Sequence, residues 1–318
     1  MSTTTGDPGH PSATTVLRFL AQSTDVGYGG RVDGGRVLEW IDKAGYACAA
    51  EWSGRYCVTA FIGDIRFVEP ISAGELVEVA AHIVYTGRTS MHILITVSAG
   101  DPRAEELVKT TQCLAVFIAV DDAGIPVAVP AWTPQTVLDQ RHQLAARRRI
   151  SVRTEIEAAM AGQDYSDDTA APHTTLRFLA APTDVNWGGK VHGGKVMRWI
   201  DEAAFVCASK WTSQPVITSR VSGVRFYRPI LIGNMIEVDA RIIHTGAKRL
   251  DISVHVRAID IRSRQGGLAA HALTTVVALD PEGHSEPVPQ WAPVTDEDRR
   301  LDQHARDIAT LLQRGEVR

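Results

Sequence analysis

Five residues near the middle of the second half of the chain have types that can do chemistry: Asn186, His192, Gly193, Gly194 and Asp201. Glycines at a helix start leave backbone N–H groups unobstructed at the positive end of the macrodipole. Such donors, together with an amide side chain, can hold a carbonyl oxygen while negative charge develops on it. A carboxylate can then activate water as a general base, or attack directly. Each residue also has a structural reading. The glycines allow close packing of the helix, and Asn186 can satisfy backbone groups in a turn. For an Asp inside a largely apolar helix the structural reading is weak, because an unpaired buried carboxylate is costly.

Other hydrolytic and nucleotide signatures are absent. The sequence has no GxSxG, no HExxH and no GxxxxGK[ST]. The glycines at 27, 29, 30, 34 and 35 do not spell GxGxxG, and no βαβ pattern surrounds them. Cys48, Cys57, Cys113 and Cys207 form no CxxC pair, and reduced, buried thiols in a cytoplasmic protein are expected. No His/Cys cluster has metal-ligand spacing, so neither a metal nor another cofactor is expected. A net charge of -4 gives no reason to expect nucleic acid as a partner. No apolar run approaches the roughly 18 residues of a membrane span.

The elements that must position these residues are written twice. TLRFLAAPTDVNWGGKVHGGKVMRWIDEAAFVCASKW, from Thr175, repeats VLRFLAQSTDVGYGGRVDGGRVLEWIDKAGYACAAEW, from Val16, with an offset of 159 positions. The same offset pairs Phe67 with Phe226, Gly87 with Gly246 and Trp132 with Trp291, so a complete domain is duplicated. In each copy the spacing predicts a short strand, a Gly-rich loop and one long helix, over 34–51 and 193–210. Leu250, Ile252, Val254 and Val256 alternate with polar residues, as do positions in 79–86, 91–97 and 114–120, which predicts antiparallel strands. Tight turns are expected at 121–124 and 280–283. The fold class is α+β, a tandem double hot-dog, each unit a long central helix wrapped by an antiparallel sheet. The boundaries are a disordered tail over 1–13, domains over 14–133 and 173–292, an outer helix and linker over 134–172, and a C-terminal outer helix over 293–318.

At this point the sequence resembles the acyl-CoA thioesterase family of the hot-dog fold. The resemblance rests on Asn186, on the VHGG of Val191, His192, Gly193 and Gly194, and on the WIDEA of Trp199 to Ala203. In the first copy it rests on Gly34, Gly35, Trp40, Ile41 and Asp42, and on YTGRTSM from Tyr85 to Met91. It covers nearly both repeats, in a tandem form similar to brain-type acyl-CoA hydrolase. It implies hydrolysis of acyl-CoA, with CoA as part of the substrate rather than a cofactor. It also implies a homo-oligomer, a trimer of double hot-dogs. Arg88, Thr89 and Ser90 become candidates for the CoA phosphates, and His192, Gly193 and Gly194 for the acyl-thioester end.

The two copies differ where the chemistry lies. Position 27 is Gly where 186 is Asn, and position 33 is Asp where 192 is His, while Asp42 and Asp201 are both kept. Asp201 lies roughly 12 Å along its helix from the start that Asn186 precedes, too far for both to touch one carbonyl. In the resembled family each site takes its Asn from one unit and its acid from the other. Asn186 is therefore expected to work with Asp42, leaving a degenerate pocket of Gly27, Asp33 and Asp201. Two other readings compete: a hot-dog acyl-CoA hydratase or dehydratase using His192, and a non-catalytic acyl-CoA-binding regulatory module.

Overall fold

The computed structural model describes residues 12–27, 29–166 and 169–315. Most of the tail expected over 1–13 therefore lies outside the described residues.

Each repeat begins with an edge strand, β1 (Thr14–Leu20), followed by the Gly-rich loop and the helix α1 (Gly34–Ser53). Four strands follow: β2 (Tyr56–Arg66), β3 (Leu76–Thr86), β4 (Ser90–Gly100) and β5 (Val108–Val120). After α2 (Val137–Ala161) the order recurs as β6 (His173–Leu179), α3 (Gly193–Thr212), β7 (Val216–Phe226), β8 (Met235–Thr245), β9 (Leu250–Ile259) and β10 (Gly266–Leu279). A two-residue strand β11 (Ser285–Glu286) and the helix α4 (Asp296–Gly315) end the described chain.

All eleven strands form one antiparallel sheet, in the order β1-β3-β4-β5-β2-β7-β10-β9-β8-β6 with β11 beside β10. The repeats meet at β2 and β7. Ile62 faces Val224 and Ile65 faces Val221, and each is opposite the repeat equivalent of the other, so the join has pseudo-twofold symmetry. The turns at Gly124 and Gly283 close as expected, each donating its N–H to the Asp three residues earlier.

Both central helices lie on one face of the sheet and turn an apolar stripe at helical spacing toward it. Leu38, Ile41, Ala44 and Cys48 of α1, and Met197, Ile200, Ala204 and Cys207 of α3, are all buried. The four cysteines are free and buried, as their apolar settings suggested. Burial pushes the thiols of Cys48, Cys113 and Cys207 up to about 12.

The second glycine of each GG pair lets the helices touch. A Cβ on Gly35 would lie 3.0 Å from the Arg198 Cα, and one on Gly194 would lie 2.8 Å from the Glu39 Cα. The first turn of each helix thus abuts the middle of the other. On the opposite face of the sheet, α2 and α4 pack together through Ile156, Met160, Leu301, Ile308 and Leu312 over Ile243 and Leu273.

Candidate active site

The crossing of α1 and α3 carries Asp42 to the N-terminus of α3. There Asp42 Oδ2 accepts the Gly194 N–H at 2.7 Å, while Oδ1 accepts the Thr59 hydroxyl at 2.6 Å. His192 Nδ1 also lies 2.8 Å from Oδ2. The same nitrogen is 3.1 Å from the Gly194 nitrogen, a longer contact than the 2.7 Å from that nitrogen to the carboxylate. We therefore take His192 Nδ1 as protonated and donating to Asp42. Burial pushes the His192 imidazole down, but its hydrogen bond to Asp42 and the charge there outweigh burial and hold it above the usual histidine value.

These contacts explain how a carboxylate only 2% exposed is tolerated. They also leave one oxygen incompletely used. A carboxylate oxygen has two lone-pair sites, and among the described residues Oδ2 has two donors whereas Oδ1 has Thr59 alone. The first glycine of the pair opens the way to Oδ1. A Cβ on Gly193 would stand 3.1 Å from both Asp42 oxygens and from the Thr59 hydroxyl.

Asn186 closes the other side. A tight turn forms as its backbone N–H bonds to the Lys190 carbonyl at 2.6 Å. Its side-chain Oδ1 accepts the N–H groups of Gly188 and Lys190, at 2.9 and 3.1 Å. The structural reading of Asn186 as a turn residue is thus part of the geometry. With Oδ1 held by the turn, the amide NH₂ is the end left to donate.

Asn186, His192 and Gly193 from the second repeat line a cavity of about 250 Å³ with Asp42 and Thr59 from the first. Tyr46 and Tyr56 add two phenols to its wall, and Lys190 and Arg228 two cations. Burial pushes the Tyr56 phenol up, with the Asn186 amide pulling the other way. Its hydroxyl nevertheless has no partner at hydrogen-bonding geometry among the described residues.

Thr59 was not singled out from the sequence, although a signal existed, since Thr218 holds the equivalent place in the second repeat. Lys190, Arg228 and the two tyrosines gave no comparable signal. Arg88, Thr89 and Ser90 do not line this cavity. Arg88 and Thr89 lie in the turn before β4 and Ser90 opens that strand, one strand beyond the cavity residue Ile118, which pairs with Ser90.

The related frame around Asp201 keeps part of this geometry. Gly35 N–H donates to Asp201 Oδ2 at 2.8 Å and Thr218 to Oδ1 at 2.6 Å. Gly27 makes the same backbone turn to Arg31 but offers no side chain. A Cβ there would come within 2.9 Å of the Asp33 Cβ. Asp33 caps α1 by accepting the Arg36 N–H at 2.6 Å. Burial and the nearby Asp33 charge push the Asp201 carboxyl up to about 6, against the pull of Thr218.

A larger cavity of about 350 Å³ lies on the outer face of the sheet, between it and α2. Its carboxylate, Asp64, is held by both nitrogens of a bidentate contact from Arg220, at 2.5 and 2.7 Å, so it is poorly placed to take a proton. The cavity between the repeats is the candidate site. Among the described residues no group of three His, Cys, Asp or Glu could hold a metal ion.

One sheet wrapping two central helices, with a carboxylate from one helix on the N-terminus of the other, defines a double hot-dog fold. The chain matches the thioesterase superfamily over residues 29–106 and 188–264, once in each repeat. It is 26% identical over 310 residues to the cytosolic acyl coenzyme A thioester hydrolase of Homo sapiens, covering 91% of this chain and 81% of that one. It is 28% identical over 153 residues to protein VdlD of Helicobacter pylori, covering 48% of this chain and 87% of that one. An acyl-ACP thioesterase from Bacteroides thetaiotaomicron superposes with a TM-score of 0.54 at 10% identity, over 83% of this chain and 98% of that one. That last likeness is of fold alone.

Proposed function

We propose that the protein hydrolyses acyl-CoA thioesters to a carboxylic acid and CoA, at one competent site made by Asn186 and Asp42. The observation that carries this reading is the meeting of Asn186, Asp42 and the N-terminus of α3 in one cavity. The relatives named above for acyl-CoA thioester hydrolysis support the substrate class.

The thioester carbonyl oxygen sits between the Asn186 amide and the Gly193 N–H, one of the donors that a helix start leaves unpaired. Water approaches Asp42 Oδ1 through the space that Gly193 leaves open and gives up a proton to it. The hydroxide adds to the carbonyl carbon, and the oxyanion is held by the two donors. The C–S bond then breaks, and the departing CoA thiolate recovers the proton from Asp42. Thr59 and His192 fix the carboxylate, and His192 offsets its charge. Lys190 and Arg228, at the cavity, provide positive charge for the CoA phosphates, a role the sequence suggested for Arg88, Thr89 and Ser90.

The Gly27, Asp33 and Asp201 frame is silent, because it has no amide and places a second carboxylate beside the first. The working unit comprises residues 14–133 and 173–292, and it acts in the cytoplasm as a homo-oligomer of three chains, without metal or nucleotide.

The test compares two isosteric variants by thiol release from acyl-CoA. Asp42→Asn abolishes hydrolysis, while Asp201→Asn retains most of it; the reverse result would place the site within one repeat. Asn186→Ala lowers turnover about 100- to 1000-fold, the scale of losing one oxyanion donor. Near-full activity in that variant would reduce Asn186 to its turn.

A further inference from the structure

Two hydroxyls in the cavity have no part in the hydrolysis described above. Tyr46 lies one helical turn beyond Asp42 on α1, and Tyr56 opens β2. Their rings are 6.1 Å apart and tilted at 59°. Among the described residues the buried Tyr56 hydroxyl has no partner at hydrogen-bonding geometry. It lies against the loop that carries Asn186, so closely that a Cβ on Gly188 would fall 2.5 Å from the phenol oxygen.

A wall built only for a hydrocarbon chain gains nothing from a buried phenol oxygen, because the desolvated hydroxyl is left unmatched. The repeat provides an internal comparison. At the places equivalent to Tyr46 and Tyr56 the second copy has Phe205 and Pro215, neither of which bears a hydroxyl. The phenols therefore belong to the same pocket as Asn186 and His192, and are missing where Gly27 and Asp33 stand.

We propose that Tyr56 is a specificity residue, and that the acyl groups this site selects carry an oxygen on one of the first carbons beyond the thioester. The position follows from the neighbourhood of Tyr56. The Asn186 loop holds the thioester carbonyl, so a hydroxyl or keto oxygen two or three carbons along the acyl group reaches the adjoining phenol. Tyr46 provides a second polar edge on the same wall. This rests on the thioesterase reading above. A site with a buried polar group rejects the analogue that leaves it unpaired, whereas an apolar wall discriminates poorly against an added hydroxyl.

The experiment measures kcat/KM for matched pairs that differ by one oxygen: butyryl-CoA against 2- and 3-hydroxybutyryl-CoA, and the same set on a twelve-carbon chain. Wild-type protein should prefer at least one oxygenated member by about tenfold or more. Tyr56→Phe, which removes a single oxygen atom and keeps the ring, should bring that preference below about twofold. Thermal unfolding of Tyr56→Phe alongside wild type checks that the fold is kept. Equal use of plain and oxygenated substrates by wild type overturns the proposal, as does a preference that survives in Tyr56→Phe. Wild-type protein that hydrolyses no thioester in either series overturns the thioesterase reading and this proposal together. Robust hydrolysis of plain acyl-CoA with no oxygen preference overturns this proposal alone.

Discussion

Asp42 and Asp201 show how one residue type takes on two properties from its surroundings. Each sits at the N-terminus of the opposite helix and accepts a Gly N–H and a Thr hydroxyl. The difference is the neighbour at the helix cap, a histidine beside Asp42 and a carboxylate, Asp33, beside Asp201. Because the folded Asp201 carboxyl titrates at about 6 rather than 3.8, the folded state holds a proton that the unfolded chain releases earlier. That raised value makes stability fall as pH rises from about 4 to about 6. Asp201→Asn removes the penalty, so it should stabilise the protein on the order of 1 to 3 kcal/mol at pH 7.5. Near pH 3, where wild-type Asp201 is largely protonated in both states, the gain should vanish. Thermal unfolding at the two pH values checks this, and an equal gain at both would mean that charge is not the cause.

At the scale of elements, the two helices are related by sequence yet packed with different pieces. Gly45 of α1 faces Phe117 of β5, and a Cβ on Gly45 would lie 2.5 Å from the Phe117 ring and 2.9 Å from Ile95. The second repeat has Ala204, Val276 and Val254 at these places, a larger helix residue against smaller strand residues. Each arrangement fills its core, but the pieces are not interchangeable one at a time. Gly45→Ala should destabilise the protein by about 1 to 3 kcal/mol through overpacking. Gly45→Ala combined with Phe117→Val should recover part of that loss relative to Phe117→Val alone. Denaturant unfolding of the three variants measures the coupling, and simple additivity would show that the ring and the glycine do not compensate one another. The GG pairs at the helix starts divide their labour similarly, with Gly194 admitting α1 and Gly193 opening the approach to Asp42.

At the scale of the whole molecule, the continuous sheet turns two repeats into one body, and the cavity proposed as the active site is lined by residues of both. Neither repeat alone holds both Asn186 and Asp42. The proposed trimer of chains is tested by light scattering, which should give about three times the 34.5 kDa chain mass. A monomer at micromolar concentration would remove the trimer while leaving the internal pairing intact. No helix among the described residues is long and apolar enough to cross a membrane.

The offset repeat alone determined the order of elements, since copied periodicities at fixed spacing require copied helices and strands. The long helices ran as expected from Gly34 and Gly193, extending two residues further, to Ser53 and Thr212. The sequence also made Asn186 and the two aspartates stand out, because a carboxylate in an apolar helix needs an explanation. Only tertiary structure decided what surrounds them. Thr59 reaches Asp42 from the next strand, Tyr56 reaches the Asn186 loop from the other repeat, and Gly194 gives its N–H to Asp42 across 152 positions of chain. Local spacing carries the period of a helix or strand, but it does not encode which side chains a pseudo-twofold axis brings face to face. Arg88, Thr89 and Ser90 are placed by the same step: the sheet sets them one strand outside the cavity, while the turn that holds Asn186 sets Lys190 on its wall.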